Sequence, residues 1–183
     1  DWSSDVCSSD LMTVAAHAHG IRIIVDVVAN HFTADWNAID SDWQKSEYFH
    51  ARNSCSGSGG DNIDYSNRWQ VTHCHLLGLW DLNTANPEVA NRMHDFLKTA
   101  VNDGVDGFRF DAGKHVELPN EFDGSQYWTT ILQNGSQYQY GEVLQGDSGL
   151  DYKAYANLYA KYGEGGGGAT ASDYGKTIRS EIG

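Results

Sequence analysis

The run Ile21-Arg22-Ile23-Ile24-Val25-Asp26-Val27-Val28 constrains the fold more than any other segment. It is close to continuous in β-branched residues and lacks polar–apolar alternation. A strand of that kind predicts a parallel sheet with both faces covered. Parallel strands need a crossover to reach one another, and the chain supplies candidates. Strand-like runs at Val105–Phe110 and Tyr138–Leu144 alternate with helical segments at 11–19, 86–102, 126–133 and 150–162. Gly20 and Gly104 follow two of these helices as C-terminal stops, and Asn86-Pro87 opens one with proline near its first position. Residues 165–168, all glycine, read as a flexible link, and 172–182 as a last helical piece. Alternating strands and helices imply βα units around a parallel sheet, an α/β class.

Two stretches stand outside that alternation. Between 32 and 83 periodicity fades and Gly, Ser, Asn and Trp dominate. A structureless loop of that length is unusual within a compact domain, so the segment is expected to be a small inserted subdomain. The opening, Asp1-Trp2-Ser3-Ser4-Asp5-Val6-Cys7-Ser8-Ser9-Asp10, matches the translation of a common DNA sequencing adapter and is set aside from the fold argument. The expected division is 1–10 adapter-derived, 11–31 barrel, 32–83 insert and 84–183 barrel.

Acidic residues occupy the ends of the predicted strands. Asp111 lies in Gly107-Phe108-Arg109-Phe110-Asp111-Ala112-Gly113-Lys114-His115, two residues after an arginine of the same strand face. Glu142 follows Tyr138-Gln139-Tyr140-Gly141, and the first strand leads into Asn30 and His31. Taken singly, Asp111 reads as a loop-capping residue and Glu142 as a solvated strand end. As a set they read as the paired carboxylates of a retaining glycosidase, one nucleophile and one acid/base.

These segments resemble the signatures of the alpha-amylase family of glycoside hydrolases. Asp26–His31 matches the first, Gly107–His115 the second and Gly141-Glu142-Val143 the third, with Leu79-Trp80-Asp81-Leu82-Asn83 as a further one. The likeness runs from about Leu11 to Ser180 and is closest to secreted bacterial members of the Bacillus subtilis type. It implies part of a (β/α)8 TIM barrel, with a loop-rich calcium-binding subdomain (domain B) after the third strand. The chain would hold three of the barrel strands, from the second helix to the fifth. The implied activity is retaining endo-hydrolysis of α-1,4-glucosidic bonds in starch and related α-glucans. Asp111 would be the nucleophile and Glu142 the acid/base. His31, Arg109, Lys114 and His115 would serve the substrate-binding site, and Asp26 would support it without reacting.

The resemblance also implies one Ca²⁺, held by the Asn30 amide, the Asp81 carboxylate and the backbone carbonyls of Thr72 and His115. Oxygen donors of this kind suit a hard cation. The family's third essential carboxylate belongs to a Phe-x-x-Asn-His-Asp signature that does not follow Glu142 here, so the chain reads as a fragment. Two alternatives stay open. One is another α-glucan enzyme of the superfamily, an oligo-glucosidase or a glucanotransferase. The other is a non-catalytic glucan-binding protein.

Charge and cysteines narrow the partners. With 25 acidic and 12 basic residues the formal charge is −13, which argues against nucleic acid and anionic membranes. No stretch is long and apolar enough to span a bilayer. Aromatic residues make up 12% of the chain and suit stacking on sugars, although most are expected to fill the core. Cys55 and Cys74 bracket a Gly/Ser-rich excursion and read as a disulfide of a secreted protein. An extracellular enzyme, monomeric when full length, is the expectation.

Overall fold

A computed structural model describes residues 2–122 and 125–182. The chain opens with helix α1, Trp2–Ala18. This helix starts nine residues before the expected Leu11, because the adapter-like segment continues its backbone. Its stop is the expected one. Gly20 adopts φ +72°, and the Gly20 and Ile21 amides return to the carbonyls of His17 and Ala16. Four strands follow along the chain: β1 Ile24–Val27, β2 Gly107–Phe110, β3 Tyr138–Gly141 and β4 Gly167–Ala169. All pairs are parallel and the spatial order is β1-β2-β3-β4.

Strand β4 corrects the expectation of a glycine link and raises the strand count from three to four. Gly167 lies so close to the Gln139 and Tyr159 carbonyls that a Cβ there would collide with both. The strand therefore exists because its glycines let backbone approach backbone, a signal that side-chain patterning does not carry.

Helices α3 (Pro87–Asn102), α4 (Tyr127–Ile131) and α5 (Tyr152–Tyr162) provide the crossovers, and α6 (Ser172–Ile182) follows β4. Asn86 caps α3, its side chain accepting from the Glu88 amide, with Pro87 in the first turn. Val27, Phe108 and Phe110 belong to one buried cluster with Leu97 of α3, Trp128 of α4 and Tyr159 of α5. Phe110, Trp128 and Tyr159 contact one another with ring centroids 5.1–5.8 Å apart. Most of the large fully buried side chains are aromatic, so the core takes much of the aromatic content.

The opposite sheet face is open. Ile24 and Tyr138, paired through Gly107, are 41% and 42% exposed. The β-branched run was expected to be covered on both faces and is covered on one.

Residues 32–83 form 3-10 turns at Trp36–Ala38, Ser46–Tyr48, Arg52–Ser54 and Leu76–Gly78, and one short helix, α2, Arg68–His73. A disulfide joins Cys55 to Cys74, with Cα atoms 5.7 Å apart. Trp36, Phe49 and Trp80 pack edge-on or tilted against one another, and Arg52 lies over the Trp80 ring at 4.2 Å. Ile39, Tyr48, Phe49 and Leu82 join the same buried cluster as the sheet. The antiparallel bridge His31–Asp81 ties the segment to the end of β1, and Phe49–Leu82 closes within the segment itself.

Candidate active site

Parallel pairing brings the two proposed reactants to the same edge. The Asp111 amide donates to the Val27 carbonyl at 2.9 Å, and the Glu142 amide to the Phe110 carbonyl at 2.8 Å. Each residue thus leaves the carboxyl end of its strand while still hydrogen-bonded to the neighbouring one. Arg109 links them. Its Nη1 lies 3.1 Å from Asp111 Oδ1 and 2.6 Å from Asp26 Oδ1, and its Nη2 lies 3.2 Å from Glu142 Oε1. One guanidinium therefore contacts three carboxylates. Asp26 is its strongest partner, and together they push the Arg109 pKa up.

The Glu142 side chain also accepts from the Ala112 amide at 3.3 Å, and the Gly113 amide donates to the Glu142 carbonyl at 2.8 Å. Ala112 has φ +50°, a left-handed conformation that costs a non-glycine residue energy and often marks a functional turn. Gly141 precedes Glu142 with the Tyr159 ring where a Cβ would stand, so only glycine lets this strand end lie against α5.

A pocket of about 390 Å³ is lined by Asp111, Glu142, Lys114, His115, Tyr65 and Asp147, among others. Lys114 Nζ lies 2.7 Å from Asp147 Oδ2 and 4.9 Å above the Tyr65 ring. The His115 ring donates to the Val71 carbonyl at 2.8 Å, and burial pushes its pKa down to about 4. His31 lies outside this pocket and lines a larger hollow of about 960 Å³ beside β1 and α3. Burial lowers its pKa, while the Asp111 charge acts in the opposite sense. The larger hollow contains neither Asp111 nor Glu142, and the smaller one is lined by both.

Tyr65 and Asp147 are pocket residues that sequence reasoning missed. Tyr65 lies in the aperiodic insert and Asp147 in a Gly-Asp-Ser turn, and neither context distinguishes a site residue from a loop residue. Asp26, expected to support the site without reacting, is paired with Arg109 and lines the larger hollow rather than the smaller pocket.

The four expected calcium ligands fall into two contacts. Asn30 Nδ2 donates to Asp81 Oδ1 at 3.0 Å, and α2, which carries Thr72, packs against the turn that carries His115. Asp81 is 1% exposed, and its other partner is His50, 2.7 Å away. Burial raises the Asp81 pKa well above the carboxylate range and lowers that of His50. Among the described residues no three His, Cys, Asp or Glu side chains are grouped to hold a metal. The expected set has one carboxylate and otherwise amide and carbonyl oxygens. A buried carboxylate with only neutral partners lacks a compensating cation, and that donor chemistry fits a hard divalent ion. The Asn30 amide presents nitrogen to Asp81, whereas ligation would use its oxygen.

A sequence profile described as "Alpha amylase, catalytic domain" matches residues 7–164. An alpha-amylase of Clostridium acetobutylicum is 32% identical over 169 residues, covering 82% of this chain and 21% of that protein. One from Thermomonospora curvata is 34% identical over 150 residues, covering 76% and 25%. Among solved structures, an alpha-amylase from Malbranchea cinnamomea aligns with a TM-score of 0.64 at 26% identity, covering 87% of this chain and 32% of that one. Alpha-amylase I from Eisenia fetida aligns at 0.65 and 27%, covering 84% and 34%. The chain spans about a quarter or less of these curated relatives and about a third of these solved chains.

Proposed function

Because the chain belongs to the alpha-amylase family, we propose that it is the nucleophile-bearing part of a glycoside hydrolase acting on α-glucans, with retaining endo-cleavage of α-1,4 bonds as its reaction. The observation that carries this reading is Arg109 bridging Asp111 and Glu142 at adjacent parallel strand ends. Retaining cleavage needs two carboxylates about 5–5.5 Å apart, one to attack the anomeric carbon and one to protonate the leaving oxygen. Asp111, after the Arg109 strand, is the nucleophile. Glu142 donates the proton and then takes one from water. His31, Lys114 and His115 hold glucose units around them.

Calcium is a structural ion in this reading, held by the side chains of Asn30 and Asp81 and the carbonyls of Thr72 and His115. When bound it supplies positive charge beside the buried Asp81. The protein residues themselves join the end of β1 to the insert and to the turn after β2. The insert then serves as domain B of a (β/α)8 barrel, whose third carboxylate comes from outside this chain. The disulfide supports an oxidising, extracellular destination. Among the described residues no helix is long and apolar enough to cross a membrane.

Asp111→Asn and Glu142→Gln in the full-length protein test the reading. Starch hydrolysis should fall by roughly 10²–10⁴-fold for Glu142→Gln, and Asp111→Asn should leave no covalent intermediate to trap. Activity within a few-fold of wild type in either variant would overturn the assignment. Chromatography of the products from starch separates endo-hydrolysis from glucan transfer.

A further inference from the structure

Arg68, on α2, anchors the loop that follows the nucleophile strand, although the proposed chemistry does not use it. Its side chain is 13% exposed. Nε and Nη2 pair with the two Glu121 oxygens at 2.8 and 3.1 Å. Nη1 donates to the Lys114 carbonyl at 2.6 Å. Nη2 also donates to the Tyr155 hydroxyl of α5, which in turn donates to the Val116 carbonyl. Glu121 Oε2 accepts from the Leu118 amide at 2.8 Å. Lys114, Val116, Leu118 and Glu121 therefore converge directly or through one partner on a single planar fork. A lysine could reproduce its charge but not these simultaneous directions.

The loop begins at left-handed Ala112 and carries Lys114, whose ammonium lies at the pocket against Asp147 and over Tyr65. Moving the Lys114 carbonyl moves that ammonium. We propose that Arg68 is a positioning residue: it fixes the loop that presents Lys114 and so sets how tightly the pocket holds glucan. The proposal rests on the reading of Lys114 as a substrate contact.

The test uses Arg68→Lys, Lys114→Met and the double variant in the full-length protein, assayed on maltoheptaose. Each single variant should raise KM about tenfold with kcat within about twofold of wild type. The double variant should be no worse than Lys114→Met alone, because the two act through one contact. Glu121→Gln, which keeps the fork partly engaged, should give an intermediate KM. Additive KM effects, or an unchanged KM in Arg68→Lys, would overturn the proposal. So would a fall in kcat and melting temperature at constant KM, the signature of a purely structural residue. A wild-type protein that does not cleave maltoheptaose would instead sink the functional reading, and a silent Lys114→Met would sink the Lys114 assignment on which Arg68 depends.

Discussion

Arg109 is shared among Asp26, Asp111 and Glu142, so the site is held by charge as well as by strand pairing. Four histidines of the molecule are held the other way, by exclusion of water. Burial lowers the pKa of His31, His50, His75 and His115 from the ordinary 6.5, that of His115 to about 4. A histidine whose folded pKa is depressed contributes stability above 6.5. That stability is lost as pH falls toward the folded value, because the unfolded chain takes the proton first. One such proton is worth about 1.4 kcal/mol per pH unit, so His115 alone can cost about 3 kcal/mol between pH 6.5 and 4. Asp81, with its pKa raised, acts in the opposite sense. The denaturant midpoint of wild type is therefore expected to fall across this window more steeply than that of His115→Gln. Parallel profiles would show that His115 does not titrate as a buried neutral ring.

At the scale of elements, the aperiodic insert is tied by the Cys55–Cys74 disulfide, whose ends are 19 residues apart, and by aromatic packing of Trp36, Phe49 and Trp80. A bridge closing a loop of this size stabilises by roughly 3 kcal/mol, chiefly by restricting the unfolded chain. Cys55→Ser with Cys74→Ser should lower the unfolding free energy by about that amount, read from urea unfolding of the oxidised and variant proteins. A change below about 0.5 kcal/mol would mean that packing alone orders the insert. Helix α2, which starts six residues before the second cysteine, would then keep Thr72 against the His115 turn without the covalent tie.

For the whole molecule, the open sheet face decides behaviour. Ile24, Val28 and Tyr138 are 41%, 45% and 42% exposed, and β1 and β4 are unpaired edges. Exposed apolar strands and free edges favour association. The 183-residue chain expressed alone should bind a hydrophobic dye, aggregate and show no starch hydrolysis beside its full-length counterpart. Glu142-dependent amylase activity from the chain alone would refute the fragment reading. Calcium belongs to this scale as well, since its proposed ligands join barrel and insert. At a hundredfold excess over its dissociation constant it should stabilise the full-length protein by about 2.7 kcal/mol. A melting temperature that does not change when a chelator is added would remove calcium from the account.

The sequence by itself determined the parallel class, the stops at Gly20 and Gly104, the Asn86-Pro87 helix start, and the placement of Asp111 and Glu142 just past two strands. Those features are local. β-branched runs, caps and strand-end acids announce themselves within a few residues. Tertiary structure alone decided that the Gly167–Ala169 segment is a strand, because its pairing depends on the bare backbone meeting β3 and α5. It also decided that the Ile24 face stays open, that Tyr65 and Asp147 reach the pocket, and that Arg68 gathers the loop after β2. Each of those outcomes depends on which distant segment arrives alongside, and no periodicity within one segment encodes the arrival of another.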